Sequence, residues 1–291
     1  MRLPIYFAAS MLSLASLSGV LSCQNQGNAT NNNNTSAQKT SATPATETVA
    51  EPVFMPAGKM PQTKIDSNSK VVYLTFDDGP LMGSEDLNKI ITEKQAKSSV
   101  FVVGKHALSG GNSKKIFNNF VANPYLEVYN HSHSHANNKY KNFYAREGGA
   151  FAARDIMQCE QELGLTTKIV RLPGRDIWVL PTRNRGLKQS GGGTAQILGQ
   201  NGYKLFGWDM EWRRKGDNSP LESAETMIAQ IDAAFNNGSM WTKNHLVILA
   251  HDPMFMKAGG QQELRQLIDY IKKHGYVLEH MRHYPNTRVS G

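Results

Sequence analysis

Two carboxylates stand side by side in Thr75-Phe76-Asp77-Asp78-Gly79-Pro80, at the end of an apolar run that begins at Val71. Successive residues of an extended chain point in different directions. One carboxylate can therefore bind a cation while the other stays free as a base. Asp, Gly and Pro also favour surface turns, and the stretch gains meaning only beside a second cluster. Another apolar run, Leu126–Asn130, leads into His131-Ser132-His133-Ser134-His135. A spacing of four places His131 and His135 on one face of a helical turn, and neutral imidazoles so spaced suit a transition metal such as zinc. His133 points elsewhere. Two nitrogens and one aspartate oxygen make three protein ligands with a position left open. That is the catalytic arrangement rather than the closed structural one, and it suits activation of water toward a carbonyl.

Three further apolar runs end in polar or aromatic groups. They are Arg171-Leu172-Pro173-Gly174-Arg175, Trp208-Asp209-Met210-Glu211-Trp212 and Leu249-Ala250-His251-Asp252-Pro253. Each alone fits an ion pair, aromatic packing or a structural histidine.

The elements that must position these groups are short. Strands are predicted at Val71–Phe76, Ser99–Val103, Leu126–Asn130, Lys168–Leu172, Lys204–Trp208, Leu246–Ala250 and Val277–His280. Helices are predicted at Ser84–Lys97, Ser113–Val121, Gly149–Leu163, Thr194–Gly199, Leu221–Phe235 and Gln261–Lys273, with Ser84 as the cap of the first. Alternating strands and helices imply an α/β fold with parallel strands and helical crossovers. Seven strands imply a distorted (β/α) barrel rather than the regular eight-unit type. Chemistry in such folds sits at the carboxyl ends of the strands, where every polar cluster above falls.

The first part of the 291-residue chain has another character. Residues 1–22 read as an export signal, with Arg2 ahead of the apolar run Ile5 to Leu21. Val20-Leu21-Ser22-Cys23 resembles a bacterial lipobox, in which the cysteine carries the lipid. Membrane tethering at the cell envelope through Cys23 is the expectation, with plain secretion as the alternative. Residues 23–66, rich in Asn, Thr, Ser and Ala, bury too little apolar surface to order themselves and read as a flexible tether. Residues 67–291 are expected to form the catalytic domain. Cys159 has no partner once Cys23 is used and reads as a buried structural thiol. The net charge of +8 favours acidic surroundings. Export and the lack of a basic helix or zinc-finger spacing argue against nucleic acid as the partner, and nothing points to an obligate protein partner.

Taken in order, the motifs resemble the polysaccharide deacetylase family, the NodB-homology group or carbohydrate esterase family 4, over about residues 70–284. The resemblance implies a NodB-type barrel and a divalent metal, Zn2+ by the donor set, held by Asp78, His131 and His135. It implies Asp77 as catalytic base, Arg171 as the residue that holds it and His251 as general acid. Leu249 becomes the wall for the acetyl methyl, and Gly174 offers an N–H to the oxyanion. Trp208, Glu211 and Trp212 fall in the fourth motif, near the substrate. Arg175 stands where the family usually has glycine, which suggests a narrowed groove or an anionic substrate. The carboxylate expected to orient Arg171 is Glu211, with Asp209 as an alternative. The implied reaction is removal of N-acetyl groups from a glycan such as chitooligosaccharide, peptidoglycan or poly-N-acetylglucosamine, with release of acetate. The alternatives are O-acetyl ester hydrolysis on the same scaffold and a glycan-binding homologue with impaired catalysis.

Overall fold

The computed structural model describes residues 64–285. The export signal, Cys23 and all but the last three residues of the tether lie outside the described residues. The folded part starts slightly before residue 67, because Ile65 packs against the barrel interior.

The strands are β1 (Val71–Asp77), β2 (Ser98–Val102), β3 (Leu126–Asn130), β4 (Ile169–Val170), β5 (Trp178–Leu180), β6 (Arg183–Arg185), β7 (Lys204–Leu205), β8 (Met210–Glu211), β9 (His245–His251) and β10 (Val277–Leu278). The helices are α1 (Ser84–Lys94), α2 (Gly104–Leu108), α3 (Gly111–Ala122), α4 (Tyr140–Ala145), α5 (Ala150–Leu163), α6 (Gly192–Gln200), α7 (Ala224–Asn237) and α8 (Ala258–Lys273). All seven expected strands are present, and three more join them. β5, β6 and β8 are two or three residues long, too short to show a period of two. Helices α2 and α4 escape the helical pattern for the same reason.

The sheet runs β6-β5-β7-β4-β3-β2-β1-β9-β8, with β10 beside the start of β1. Its pairings are parallel except for the β5–β6 hairpin and the β5–β7 contact. The result is a distorted, open (β/α) barrel. Ser84 is not the cap of α1. Gly83, at φ 91°, holds that position, and Ser84 Oγ accepts from Leu81 N at 2.7 Å and donates to buried Asp252.

The alternation of side chains along the strands decides what reaches the site. In β1, Val72, Leu74 and Phe76 lie in the layer under the helices, whereas Val71 and Tyr73 lie inside the barrel. The same period turns Thr75 and Asp77 inward. In β9, Leu246, Ile248 and Ala250 join the outer layer and Val247 the inner one, so Leu249 and His251 face inward. Both strands are buried on both faces apart from their rims, as central strands of a parallel sheet are. The helices α1, α7 and α8 cover them with Leu87, Ile90, Met227, Ile231, Leu264 and Ile268, all fully buried.

The other end of the barrel is plugged by Tyr73, Trp178, Phe206 and Tyr284, whose rings meet at 5.2–5.6 Å. Beside this plug Glu279 is 1% exposed. It takes Lys97 Nζ at 2.9 Å, His283 Nδ1 at 3.1 Å and the His280 N–H at 2.9 Å. Burial pushes the carboxyl up, but these partners outweigh it and hold it at about 2. A depressed carboxylate pKa contributes stability above the unfolded value, near 4.5, that is lost as pH falls toward 2. Glu279→Gln is therefore expected to lower unfolding free energy by roughly 3 kcal/mol at pH 7. The gap should close as pH approaches 2. Urea titrations of both proteins across that range check it; a gap independent of pH would contradict the assignment.

Candidate active site

Strand register brings the motifs together. Asp77 of β1 lies directly opposite His251 of β9, and Thr75 opposite Leu249. Glu211 of β8 pairs with Leu249 from the other side. His131 continues β3 inward, its N–H bonded to the Val102 carbonyl at 2.8 Å. Asp77, His131, Glu211, Leu249 and His251 border one open cavity of about 820 Å3, together with Gly174, Trp208 and Tyr140.

The two histidines are not on a helical turn. Ser132 and His135 both have positive φ, 72° and 49°, and the chain doubles back rather than winding. This reversal, pinned by a hydrogen bond of 3.0 Å from the His135 N–H to Ser132 Oγ, returns His135 beside His131. The rings stand 5.3 Å apart. Asp78 also has a positive φ, 78°, and its Oδ1 lies 3.5 Å from His131 Nε2 and 3.0 Å from His135 Nε2. One ligand atom from each of the three lies within 4.8 Å of the others. His133 points away, with Nδ1 2.8 Å from Glu162.

These atoms fit a divalent cation. His131 Nδ1 donates to the Arg171 carbonyl at 2.9 Å, and His135 Nδ1 donates to Asn138 Oδ1 at 3.3 Å. Each ring thus spends its proton on the outer nitrogen and turns a lone pair inward. Asp78 Oδ1 is buried without an acceptable hydrogen-bond donor. The electrostatics also call for positive charge. Burial opposes ionisation of Asp78, yet His131 and His135 hold its carboxyl far below the usual range. Burial likewise opposes charging of His131, but Asp77 and Asp78 outweigh it and raise its pKa.

Asp77 is held differently. Arg171 is fully buried and donates from Nη1 to Asp77 Oδ1 at 2.8 Å and to Thr75 Oγ1 at 2.7 Å. Its Nε and Nη2 donate to the carbonyls of Phe206 and Gly207 at 3.2 and 2.9 Å. Its carboxylate partner is therefore Asp77, not Glu211 or Asp209. Glu211 faces the cavity. Asp209 is turned down the barrel, where it accepts from the N–H groups of Trp241 and Val247 at 2.8 and 3.0 Å. Asp77 Oδ2 also comes within 3.6 Å of His131 Nε2. Both neighbouring carboxylates thus reach His131, and only Asp78 reaches His135. The left-handed backbone at Asp78 rotates its side chain back toward the side Asp77 occupies, which an extended chain would not do.

His251 is lined up across the cavity with its Nδ1 buried and lacking a partner among the described residues. Burial lowers its pKa, Asp77 and Asp78 oppose this, and Arg214 and His131 reinforce it. Trp212, expected near the substrate, is instead a core residue. It is fully buried against Phe255, and its Nε1 donates to the Glu222 carbonyl at 2.8 Å. The reason is the period of two: Glu211 and Trp212 cannot face the same side. Arg175 does not border the cavity. Its guanidinium donates to Ser190 Oγ and the Gly174 carbonyl and lies over the rings of Tyr144 and Tyr140. Cys159 is buried, and burial pushes its thiol well up, which suits a structural residue.

Several residues of the site carry no sequence signal. Tyr140 sets its ring edge-on to His135 at 5.7 Å. His106 Nδ1 donates to the Asp78 carbonyl at 2.6 Å. Asp252 is fully buried behind the Asp-Asp-Gly-Pro loop, where a Cβ on Gly79 would collide with its carboxylate. Burial and the nearby charges of Asp78 and Asp77 push its pKa up to about 7 against the bond from Ser84. Its place directly after a histidine motif is the only pointer to Asp252, and nothing local points to the other two.

Asp77 and His251 face each other beside three groups that could hold a cation, at the carboxyl end of an open (β/α) barrel, an arrangement suited to hydrolysis. Residues 64–177 match the polysaccharide deacetylase family model, a span that holds Asp77, Asp78, His131, His135, Arg171 and Gly174 but not His251. The chain is 26% identical over 219 residues to a peptidoglycan-N-acetylglucosamine deacetylase of Bacillus cereus, covering 72% of this chain and 68% of that protein. It is 27% identical over 124 residues to a chitin disaccharide deacetylase of Vibrio alginolyticus, covering 32% of this chain and 29% of that protein. The catalytic domain of a peptidoglycan N-acetylglucosamine deacetylase from Eubacterium rectale has the same fold, with a TM-score of 0.54 at 22% identity over 81% of this chain and 100% of that one. A Streptococcus mutans CE4 esterase gives a TM-score of 0.52 at 23% identity over 73% and 86%. Over residues 64–177 the chain resembles the polysaccharide deacetylase family.

Proposed function

We propose that this protein is a zinc-dependent hydrolase that removes N-acetyl groups from a glycan and releases acetate. The observation that carries the reading is the placement of Asp77 and His251 as register partners facing each other beside the Asp78–His131–His135 cluster. Asp78, His131 and His135 would hold the cation, which when bound supplies Lewis acidity toward water and the acetyl carbonyl. Asp77, fixed by Arg171, accepts the proton of the attacking water. The Gly174 N–H, at the cavity edge with φ 63°, offers a donor to the developing oxyanion. His251 delivers a proton to the departing sugar nitrogen. Its lowered pKa makes the imidazolium a stronger acid for that transfer. Leu249 meets the acetyl methyl, and Trp208 and Tyr140 wall the sugar.

Ester hydrolysis on the same scaffold is the second reading, favoured by one observation: no carboxylate supports His251 Nδ1 among the described residues. An amine leaves poorly without a proton, and an ester depends on the acid less. Acetate release should be measured on chitooligosaccharide and on an O-acetylated glycan, with and without chelator. Chelation is expected to abolish release, and added Zn2+ to restore it. His251→Ala is expected to cost the amide reaction about 100-fold or more and the ester reaction less. Equal losses on both, or release that survives chelation, would count against the proposal.

We further propose that the signal and Cys23 place this domain at a bacterial cell envelope by a lipid anchor.

A further inference from the structure

We infer that Asp155 of α5 is a positioning residue of the cation site: its carboxylate holds the loop between His131 and His135 in the shape that turns both Nε2 atoms toward Asp78. This rests on the cation site proposed above and not on its substrate. Asp155 stands where an apolar residue is expected. The buried stripe of α5 runs through Ala152, Ile156, Cys159 and Leu163, and Asp155 lies within it, three residues after Ala152 and four before Cys159. It is only 9% exposed, and a carboxylate so placed costs stability unless it is bonded. Its partners are backbone N–H groups rather than a cation. Oδ1 accepts from His133 N at 2.9 Å and from Ser134 N at 3.1 Å. Those two residues are the middle of the ligand loop.

The loop needs such a partner. Ser132 and His135 carry side chains at positive φ, a conformation that persists only where the surroundings over-determine it. Two neighbouring elements do so here. The first turn of α2 takes the carbonyls: Gly104 N donates to Ser132 O at 3.0 Å, and Lys105 N to His133 O at 2.8 Å. Helix α5 secures the N–H groups. Asp155 takes those of His133 and Ser134 directly. The Ser132 N–H donates to Asn130 Oδ1 at 2.8 Å, and Asn130 Nδ2 in turn donates to the Ile156 carbonyl at 2.8 Å. The contact with α2 is close, since a Cβ on Gly104 would stand 2.8 Å from His133 Nδ1.

Three side chains bond the backbone of this loop among the described residues. Asn130 belongs to the strand that leads into it and Ser132 to the loop itself, so Asp155 is the one supplied by another element. Without its carboxylate, the Ser134 N–H has no other acceptor among the described residues, and the His133 N–H keeps only the main-chain carbonyl of residue 155 at 3.2 Å. The geometry separates place from charge. Asparagine keeps an oxygen in the same place and loses the charge. Glutamate keeps the charge and moves the oxygen by one methylene.

The test measures the Zn2+ affinity of the purified full-length protein, by competition with a chromophoric chelator, beside urea unfolding of the metal-free protein. Asp155→Ala is expected to weaken zinc binding by about tenfold or more, the usual scale for losing a partner that orients the ligands. Asp155→Glu is expected to weaken it to a similar degree. Asp155→Asn should weaken it by no more than about threefold, since a neutral acceptor bonds the N–H groups less strongly but from the right place. Glu162→Gln removes a charge from the same helix beside the same loop, at the His133 side chain, and is expected to leave zinc affinity unchanged. Wild-type affinity in Asp155→Ala, with only lower stability of the metal-free protein, would make the residue merely structural and overturn the inference. The opposite order, with Asp155→Glu mild and Asp155→Asn severe, would do so as well, because charge rather than place would then be at work. So would a loss in Glu162→Gln as large as that in Asp155→Ala. If Asp155→Ala does not fold, the order of the glutamate and asparagine variants decides. Zinc affinity is read without substrate, so a failure to release acetate from any acetylated glycan would defeat the deacetylase reading alone. A wild type that binds no zinc would defeat this inference.

Discussion

Asp77→Asn is expected to retain its cation and lose acetate release by about 100-fold or more, the usual scale for removing a general base. Asp78→Asn is expected to lose the cation instead and to recover in part when excess metal is supplied. The two residues are neighbours, but they belong to different networks. Asp78 Oδ1 is the atom that meets both imidazole Nε2 atoms, and Asp77 Oδ1 is the atom held by Arg171. An amide at 77 keeps an oxygen for the Arg171 fork, so the site stays assembled, but it cannot accept the water proton. An amide at 78 keeps the shape and forfeits the charge that a cation needs. Metal content after dialysis, by elemental analysis, and acetate release would be measured on both. Metal lost from Asp77→Asn and kept in Asp78→Asn would reverse the assignment. Asp77 Oδ2 lies only 3.6 Å from His131 Nε2, which makes that reversal a real physical alternative. Full activity in both variants would end the deacetylase proposal.

Arg171→Met is expected to destabilise the protein by about 3–5 kcal/mol, because it leaves Asp77 as a buried charge without its counter-ion. The guanidinium is fully buried and makes four hydrogen bonds, to Asp77, Thr75 and the carbonyls of Phe206 and Gly207. Methionine fills much of the volume but leaves two carbonyls and a carboxylate without their donor. Arg171→Lys should be milder in stability and still poor in catalysis, since one ammonium cannot serve a carboxylate and two separated carbonyls at once. Urea unfolding gives the first quantity and acetate release the second. A loss under about 1 kcal/mol for Arg171→Met would show that the fork is not what holds the base.

The order of motifs along the chain already contained the chemistry. Asp77, Asp78, His131, His135 and His251 are recognisable as a set, because each cluster directly follows an apolar run; any one of them alone would also fit a turn or a structural histidine. The long central strands were legible as well, since β1 and β9 are largely apolar on both faces and have no other stable home than a covered parallel sheet. The short strands β5, β6 and β8 were not legible, because two or three residues hold no period; β4, β7 and β10 are as short and were marked only by the longer runs that contain them.

What the sequence by itself determined is the set of candidate site groups and the class of barrel that presents them: local composition is enough to mark a strand and the polar groups at its end. What only the tertiary structure decided is which groups meet. Strand register made Asp77 the neighbour of His251 across 174 residues of chain. Positive φ at Asp78, Ser132 and His135 turned three ligands onto one point where extended and helical geometry would have dispersed them. The same period of two that brought Glu211 to the cavity buried Trp212 in the core. The partner of Arg171 and the brace behind Gly79 arise from contacts distant in sequence. Those contacts depend on how the layers pack, and no local pattern encodes that.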